Sequence, residues 1–149
     1  MGYFDKNLVS DERILFRTKK HVIIYLWAVL WTLFSVVAAE YMYSNPVLAK
    51  LAFLPWVLCA FLWMQAWLVY VTSEFVVTNK RVMMREGFFF KHANELRLNT
   101  ISQVNIDQSL LGEWLNYGTI TLNSFGGRDA YILIANPFMF QRVVNEQMV

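Results

Sequence analysis

The sequence is poor in the residues that build disulfides, metal sites and catalytic centres. It has one cysteine, Cys59, and two histidines, so no disulfide can form within one chain and no His/Cys pair stands at metal-ligand spacing. It contains no nucleophile elbow, phosphate-binding glycine loop or metalloprotease helix motif. The formal net charge of +2 is too small to favour nucleic acid as a partner. We therefore expect no enzyme activity, no cofactor and no nucleic-acid partner.

Charged residues are also scarce, at 16% of the chain against about 25% in average soluble domains. The apolar excess lies in two runs. Val22–Ala39 has 18 residues without a charge, and Leu51–Val71 has 21 residues in which Gln65 is the only strongly polar one. The shorter run would be about 27 Å long as a helix, close to the bilayer core of about 30 Å. Because soluble core helices are rarely apolar on all faces for this length, we predict transmembrane helices at 22–43 and 47–71.

The short connection, with the turn signal Asn45-Pro46, makes the two helices antiparallel neighbours. Basic residues flank the pair: Lys6, Arg13, Arg17, Lys19 and Lys20 precede it, and Lys80, Arg81, Arg85, Lys91 and Arg97 follow it. Only Lys50 lies between the two apolar runs. The positive-inside rule then predicts a multi-pass protein of the cytoplasmic (inner) membrane with both termini in the cytoplasm.

A secretory signal peptide is the alternative interpretation of the first run. Val37-Ala38-Ala39 before Glu40 is similar to a cleavage site, and basic residues precede the apolar run. However, the run exceeds the usual length of about 7–15 residues, and a long charged segment precedes it. Cleavage would leave one span with its domain outside the cell. We favour the uncleaved hairpin.

From Thr72 onward the pattern changes to short alternating apolar runs, which indicate β-strands. The candidate strands or runs are Glu74–Thr78, Val82–Glu86, Phe88–His92, Asn94–Asn99, Ile101–Asp107, Thr119–Asn123 and Ala130–Ala135. Asn79 suits a positive φ in the first hairpin turn. Ile101 is out of phase with Val104 and Ile106, which predicts a bulge. The pattern suggests a curved antiparallel sheet or a partly open barrel.

Two helical segments interrupt and close this sheet. Leu110–Tyr117 breaks the alternation and is predicted as a short helical turn capped by Gly118. A terminal helix is predicted to begin at Asn136 as N-cap and Pro137 as the first helical residue. It should lay Phe140, Val143 and Val144 on the sheet.

These segments resemble bacterial pleckstrin-homology-like (PH-like) domains, including their membrane-bound members. The resemblance rests on Ser73–Val82, on Ile101–Gly112 followed by Leu115–Gly118, and on Leu8–His21 with Glu12. It implies a PH-like antiparallel barrel or sheet with a C-terminal helix, in a family of mostly uncharacterised scaffold or envelope proteins. We therefore predict a membrane protein of the α+β class. Its parts are a cytoplasmic N-terminal segment (1–21), a transmembrane hairpin (22–71) and a cytoplasmic PH-like domain (72–149).

The candidate lipid or partner surface consists of Lys80, Arg81, Arg85 and Lys91. This stretch is locally basic, although residues 72–149 carry seven basic and seven acidic side chains. Basic residues near a membrane surface gain about 1 kcal/mol each from anionic headgroups. The positive-inside bias alone also predicts basic residues here, and we favour that simpler explanation.

Gln65 is the candidate helix contact inside the membrane. A lone amide in a span often faces another helix, where a hydrogen bond contributes about 0.6–2 kcal/mol. Gln65 can pack within the hairpin against Ser35 or Thr32, or it can contact another chain. We favour packing within the hairpin.

The predicted function is that of a non-enzymatic, membrane-anchored interaction or scaffold module, most concretely an accessory subunit of a membrane protein complex. The alternative is a PH-like module that senses anionic lipid at the cytoplasmic membrane face. The predicted partners are membrane lipids and other membrane proteins or a second copy of the chain.

Overall fold

The computed structural model describes residues 2–87 and 90–149. The chain divides into two compact units. One is Val22–Tyr70, and the other combines the residues up to His21 with those from Val71 onward. The predicted N-terminal segment (1–21) therefore falls in the same compact unit as the residues after the hairpin. Residues 14–18 are strand-forming and pair with a strand that follows the apolar hairpin.

The apolar unit is a pair of antiparallel helices, α1 (Leu26–Ser44) and α2 (Leu54–Thr72), each preceded by a short 3₁₀ turn. The Ser35 hydroxyl donates to the carbonyl of Pro55 at 3.0 Å. As predicted, the chain turns at Asn45, which ends α1. Pro55 lies in the first turn of α2, where its missing amide costs no helical hydrogen bond. Two helical segments, Val22–Ser44 and Ala49–Thr72, are long and apolar enough to cross a membrane.

The second unit contains two antiparallel sheets. The strands are β1 (Ile14–Thr18), β2 (Glu74–Thr78), β3 (Arg81–Glu86), β4 (His92–Arg97), β5 (Ile101–Asp107), β6 (Tyr117–Ser124) and β7 (Gly127–Ala135). The first sheet has the order β1-β2-β3-β4 and the second β5-β6-β7. Within residues 2–87 and 90–149 no ladder joins the two sheets, and an isolated bridge pairs Lys20 with Ile134. The barrel that the sequence allowed is therefore not closed.

The main core lies between the two sheets and a C-terminal helix, α4 (Pro137–Met148). Phe75 and Val77 of β2 point into it, as do Val82 and Met84 of β3. Because alternate residues of a strand face opposite sides, Val76 and Met83 lie on the other face. There they form a second cluster, covered by Phe4 of the N-terminal segment. Both faces of β2 and β3 are thus buried, which explains their continuous apolarity.

One predicted local feature of the sheet is confirmed and another is wrong. The bulge in β5 is confirmed by a register shift between Ile101 and Gln103. Asn79 does not take a positive φ. Its side chain instead accepts a hydrogen bond from the amide of Arg13 and donates one to the carbonyl of Asp11. The run Phe88–His92 falls partly outside the described residues, and β4 begins at its last member, His92.

Both predicted helical segments are present, but the residue predicted to cap each of them does not do so. A short helix, α3 (Leu110–Leu115), ends at Asn116, which adopts φ 62°, so Asn116 and not Gly118 is the left-handed cap. The missing side chain of Gly118 serves close packing, since a Cβ there would lie 2.7 Å from Gln108. Helix α4 begins with Pro137 as predicted, but the Asn136 side chain does not cap it.

The face that α4 lays on the sheet is the predicted one. Phe140 and Val144 are fully buried in the main core. Val143 is partly buried and packs against the same cluster. The helical spacing of these three apolar residues therefore gave the correct buried face.

Candidate functional site

Arg81, the centre of the predicted basic surface, is bound to acidic side chains. Its guanidinium donates from Nε to Oε1 of Glu12 and from Nη2 to Oε2, both at 2.9 Å. It also donates to Glu95 at 2.6 Å and to the carbonyl of Asn7 at 2.9 Å. The Glu12 side chain is 0% exposed and that of Arg81 17%. This bidentate pair ties the N-terminal segment to β3, and Arg81 is not available to bind a ligand.

The protonation of Glu12 follows from this environment. Burial alone would raise the pKa of its carboxyl group. Hydrogen bonds from Arg81, the amide of Val9 and the hydroxyl of Thr78 outweigh that effect and lower the pKa to about 2. The same pair, with Glu95, raises the pKa of Arg81. Both groups are therefore charged at neutral pH.

Lys80 also binds the N-terminal segment. Its ammonium donates to the carbonyl of Ser10 at 2.8 Å. Asn79, its neighbour in the β2–β3 turn, makes the two hydrogen bonds to Asp11 and Arg13 described above. The β2–β3 turn therefore acts mainly as a clamp on residues 10–13.

Arg85 lies four residues further along β3, about 13 Å from Arg81. Its guanidinium stacks 4.2 Å above the ring of Tyr3. It lines a cavity of about 420 Å³ together with Gly2, Tyr3, Arg17, Lys19, Val71, Thr72 and Glu74. Three cations and one carboxylate line this cavity, so its lining carries net positive charge.

Arg17, one of these three cations, forms two ion pairs. It pairs with Asp5 at 2.5 Å and with Glu74 at 3.2 Å. The hydrogen bond from Arg17 lowers the pKa of Asp5. Glu74 also accepts the backbone amide of Tyr3 at 3.2 Å. These contacts close one side of the cavity with the N-terminal segment.

The structure thus does not gather the four predicted basic residues into one surface. Lys80 and Arg81 hold the N-terminal segment, Arg85 lines the cavity, and Lys91 is an exposed residue ahead of β4. The sequence reasoning missed Arg17 and Lys19 as cavity residues because it did not recognise β1. The alternation in residues 14–18, with β-branched Ile14 and Thr18, was the available signal.

Gln65 does not make the contact that the sequence reasoning favoured. The hydroxyl of Ser35 is bound to Pro55, and that of Thr32 accepts a hydrogen bond from the indole of Trp63 at 2.9 Å. The Gln65 side chain is exposed on α2 and makes no hydrogen bond to the described residues. It lines an apolar groove of about 230 Å³ with Ile24, Trp27, Ala28, Leu62, Ala66 and Val69. In this conformation no hydrogen bond joins Gln65 to Ser35 or Thr32.

The described residues offer little for metal chemistry. Among positions 2–87 and 90–149, no three His, Cys, Asp or Glu side chains come together in a way that could hold a metal ion. The features of the two units that could bind a partner are a cation-lined cavity on one unit and, on the other, an apolar groove that contains the side-chain amide of Gln65.

Comparison with known proteins identifies the fold. A crystal structure of a DUF1696 family protein with a pleckstrin-homology domain, from Shewanella loihica PV-4, matches with a TM-score of 0.51. The match covers 98% of this chain and 90% of that one at 8% sequence identity, so the likeness concerns the fold alone. The curated proteins contain no match. The model of the bacterial PH domain family matches residues 21–148, which include both apolar helices. The chain therefore belongs to the bacterial PH domain family.

Proposed function

We propose that this protein is a non-enzymatic interaction module, anchored in the cytoplasmic membrane by its apolar hairpin, and an accessory subunit of a membrane protein complex. PH domains commonly bind lipids or proteins, and the family is generally non-catalytic. The observation that carries the proposal is the open amide of Gln65 on an otherwise apolar surface.

The exposure of the hairpin supports the membrane anchor. Its two segments have mean hydropathies of 2.3 and 1.7, and only 11% of an 18-residue apolar stretch in each is buried. A core helix of a soluble protein with this composition would be mostly buried. Exposed apolar patches on soluble monomers rarely exceed a few hundred Å². A lipid environment is the solvent that suits both helices.

Within such a membrane, Gln65 favours a protein partner. An amide without a hydrogen bond in an apolar medium costs several kcal/mol, about 4–8 in the strictest reference solvent. A hydrogen bond to a neighbouring helix removes that cost, and the small Ala28 and Ala66 in the groove allow a helix to approach closely. We therefore assign the groove to a transmembrane helix of another membrane protein.

The chain connections between the hairpin and the PH domain support the proposal that the hairpin holds this domain at the membrane surface. The hairpin is inserted between β1 and β2, which are hydrogen-bonded neighbours with Thr18 opposite Phe75. The PH domain is therefore linked to the anchor by two covalent connections, one on each side of the same ladder. Such a double connection holds a domain at the membrane surface more tightly than a single linker of the same length would.

A second candidate function is recognition of anionic headgroups. The predicted surface of Lys80, Arg81, Arg85 and Lys91 does not support it, because Arg81 is neutralised by Glu12 and Glu95. The specific observation in its favour is the cavity, whose cations Arg17, Lys19 and Arg85 face a single lining carboxylate. We rank it second because Arg17 is already paired with Asp5 and Glu74.

Extraction in mild detergent tests the first proposal. The tagged wild type is compared with Gln65→Leu and with the control Met64→Leu, an exposed residue of α2 that does not line the groove. We expect a companion membrane protein to co-purify with the wild type and the control, and to be lost from Gln65→Leu. A wild-type monomer without a companion would overturn the proposal. So would a homodimer that dissociates in Gln65→Leu, since it would assign the groove to self-association.

A further inference from the structure

Helix α3 exposes most of its apolar surface. The exposed fractions of Leu110, Leu111 and Trp114 are 87%, 60% and 82%. In a soluble domain such a concentration of leucine and tryptophan on one short helix would cost solvation free energy with no gain. Tryptophan is also typical of the membrane–water interface, where its ring and its polar N–H have suitable surroundings.

The opposite side of α3 is fixed to the domain. Gly112 is buried, and a Cβ at this position would lie 2.6 Å from the carbonyl of Tyr117. The amide of Gly112 donates to the Ser109 hydroxyl at 3.1 Å, and the Gln108 amide donates to the carbonyl of Tyr117 at 3.0 Å. The helix therefore holds a fixed rotation, with its leucines and tryptophan directed away from the PH domain.

The residues that lead into the apolar hairpin run beside the end of β7 and reach Tyr117, which follows α3. The amide of Ala135 donates to the carbonyl of Lys19 at 3.1 Å, and the amide of His21 donates to Leu133 at 2.7 Å. The ring of His21 lies 5.2 Å from that of Tyr117, the second residue after α3. His21 directly precedes Val22, where the first membrane-length segment begins.

From these observations we propose that the exposed face of α3 inserts into the lipid interface of the membrane that holds the hairpin. The proposal rests on the membrane anchor of the proposed function, but not on the partner helix at Gln65. His21 immediately precedes the first membrane-length segment, and its ring lies 5.2 Å from that of Tyr117, which stands two residues after the end of α3. Interfacial helices bury their apolar faces about 5–10 Å into the headgroup and acyl boundary. The occupant of this face is therefore lipid, because the chain itself keeps the membrane within reach.

Two neighbouring features agree with this placement. Glu113 lies at the flank of the apolar face by helical geometry, so its carboxylate stays in the hydrated headgroup region. The first turn of α4 adds exposed Phe138 and Met139. It is joined to the end of α3 by a hydrogen bond from the amide of Asn136 to the carbonyl of Asn116. Insertion of α3 would fix the orientation of the PH domain on the membrane.

Nitroxide accessibility in liposomes tests the insertion. The full chain, with Cys59→Ala as background, is reconstituted in phosphatidylethanolamine–phosphatidylglycerol vesicles. One nitroxide is placed by Leu111→Cys on α3, one by Phe125→Cys at the β6–β7 turn, and one by Leu58→Cys in α2. Phe125 is the matched control, an exposed apolar residue about 25 Å along β6 from α3. We expect the α3 and α2 labels to collide preferentially with oxygen and the Phe125 label with a water-soluble nickel chelate.

Each other result overturns a defined claim. An α3 label that behaves like the Phe125 label, beside a lipid-exposed α2 label, rejects the insertion and leaves the anchor intact. An α3 label shielded from both reagents indicates a protein contact and also rejects insertion. A water-exposed α2 label rejects both the insertion and the membrane anchor.

Discussion

The guanidinium of Arg81 on β3 donates hydrogen bonds to both carboxylate oxygens of Glu12, each at 2.9 Å. Glu12 belongs to the segment before the apolar hairpin and Arg81 to the sheet after it. The pair therefore joins the two ends of a discontinuous domain. Two residues that are far apart in the sequence are thus held together in the folded domain. Because its guanidinium is bound to Glu12, Arg81 cannot serve as a lipid contact.

Glu12→Gln should destabilise the PH domain by about 3–5 kcal/mol, the cost of leaving one partner of a buried ion pair without its counter-charge. The control is Glu146→Gln, which removes an exposed pair with Arg142 on α4. Such pairs contribute at most about 0.5 kcal/mol. Hydrogen exchange of the N-terminal amides in mild detergent measures the difference. Equal protection in the two variants would contradict the structural role of the pair.

The same pair should make stability depend on acid pH. The pKa of Glu12 is lowered from 4.5 to about 2 on folding, so the unfolded state binds more protons between these values. The stabilisation is fully present above pH 4.5 and is lost as the pH falls towards 2, amounting to about 3 kcal/mol. Thermal unfolding across this range should show a steeper acid loss in the wild type than in Glu12→Gln. Parallel curves would reject the lowered pKa.

Gly112→Ala should disturb α3. The added Cβ would lie 2.6 Å from the backbone carbonyl of Tyr117, which cannot move away like a flexible side chain. Overpacking of this kind costs about 1–3 kcal/mol. Gly126→Ala is the control, because nothing lies within 4 Å of its Cβ position. Thermal midpoints of the two variants provide the comparison, and an unchanged midpoint for Gly112→Ala would show that α3 does not pack as described.

Removing basic charge from the PH domain should not release the protein from the membrane. In the combined variant Lys91→Glu, Arg85→Gln, the apolar hairpin is unchanged, and hairpin burial outweighs about 1 kcal/mol per surface charge. We expect the variant to remain in the membrane pellet after an alkaline carbonate wash, like the wild type. Release into the supernatant would indicate that the basic residues, not the hairpin, hold the protein at the membrane.

The sequence predicted most strands and the C-terminal helix because their signals are local. Short apolar runs bounded by turn signals gave β2 and β5, and the Asn136-Pro137 pair gave the start of α4. It failed at β1, whose partner β2 lies beyond the hairpin, because a short strand ahead of an apolar run carries no sign of its distant pairing. Nor did it show the pairing of Arg81 with Glu12 or the groove around Gln65, because the partners of a charge or an amide depend on tertiary geometry.

Photo-crosslinking in intact cells tests the interaction module most directly. A photoreactive residue replaces Leu62, which lines the groove beside Gln65, and in a second strain replaces Met64 on the opposite face of α2. We predict a discrete adduct between the Leu62 variant and another membrane protein, absent from the Met64 variant. The absence of an adduct at Leu62, or an adduct only with a second copy of the chain, would contradict the proposal that this protein is an accessory subunit.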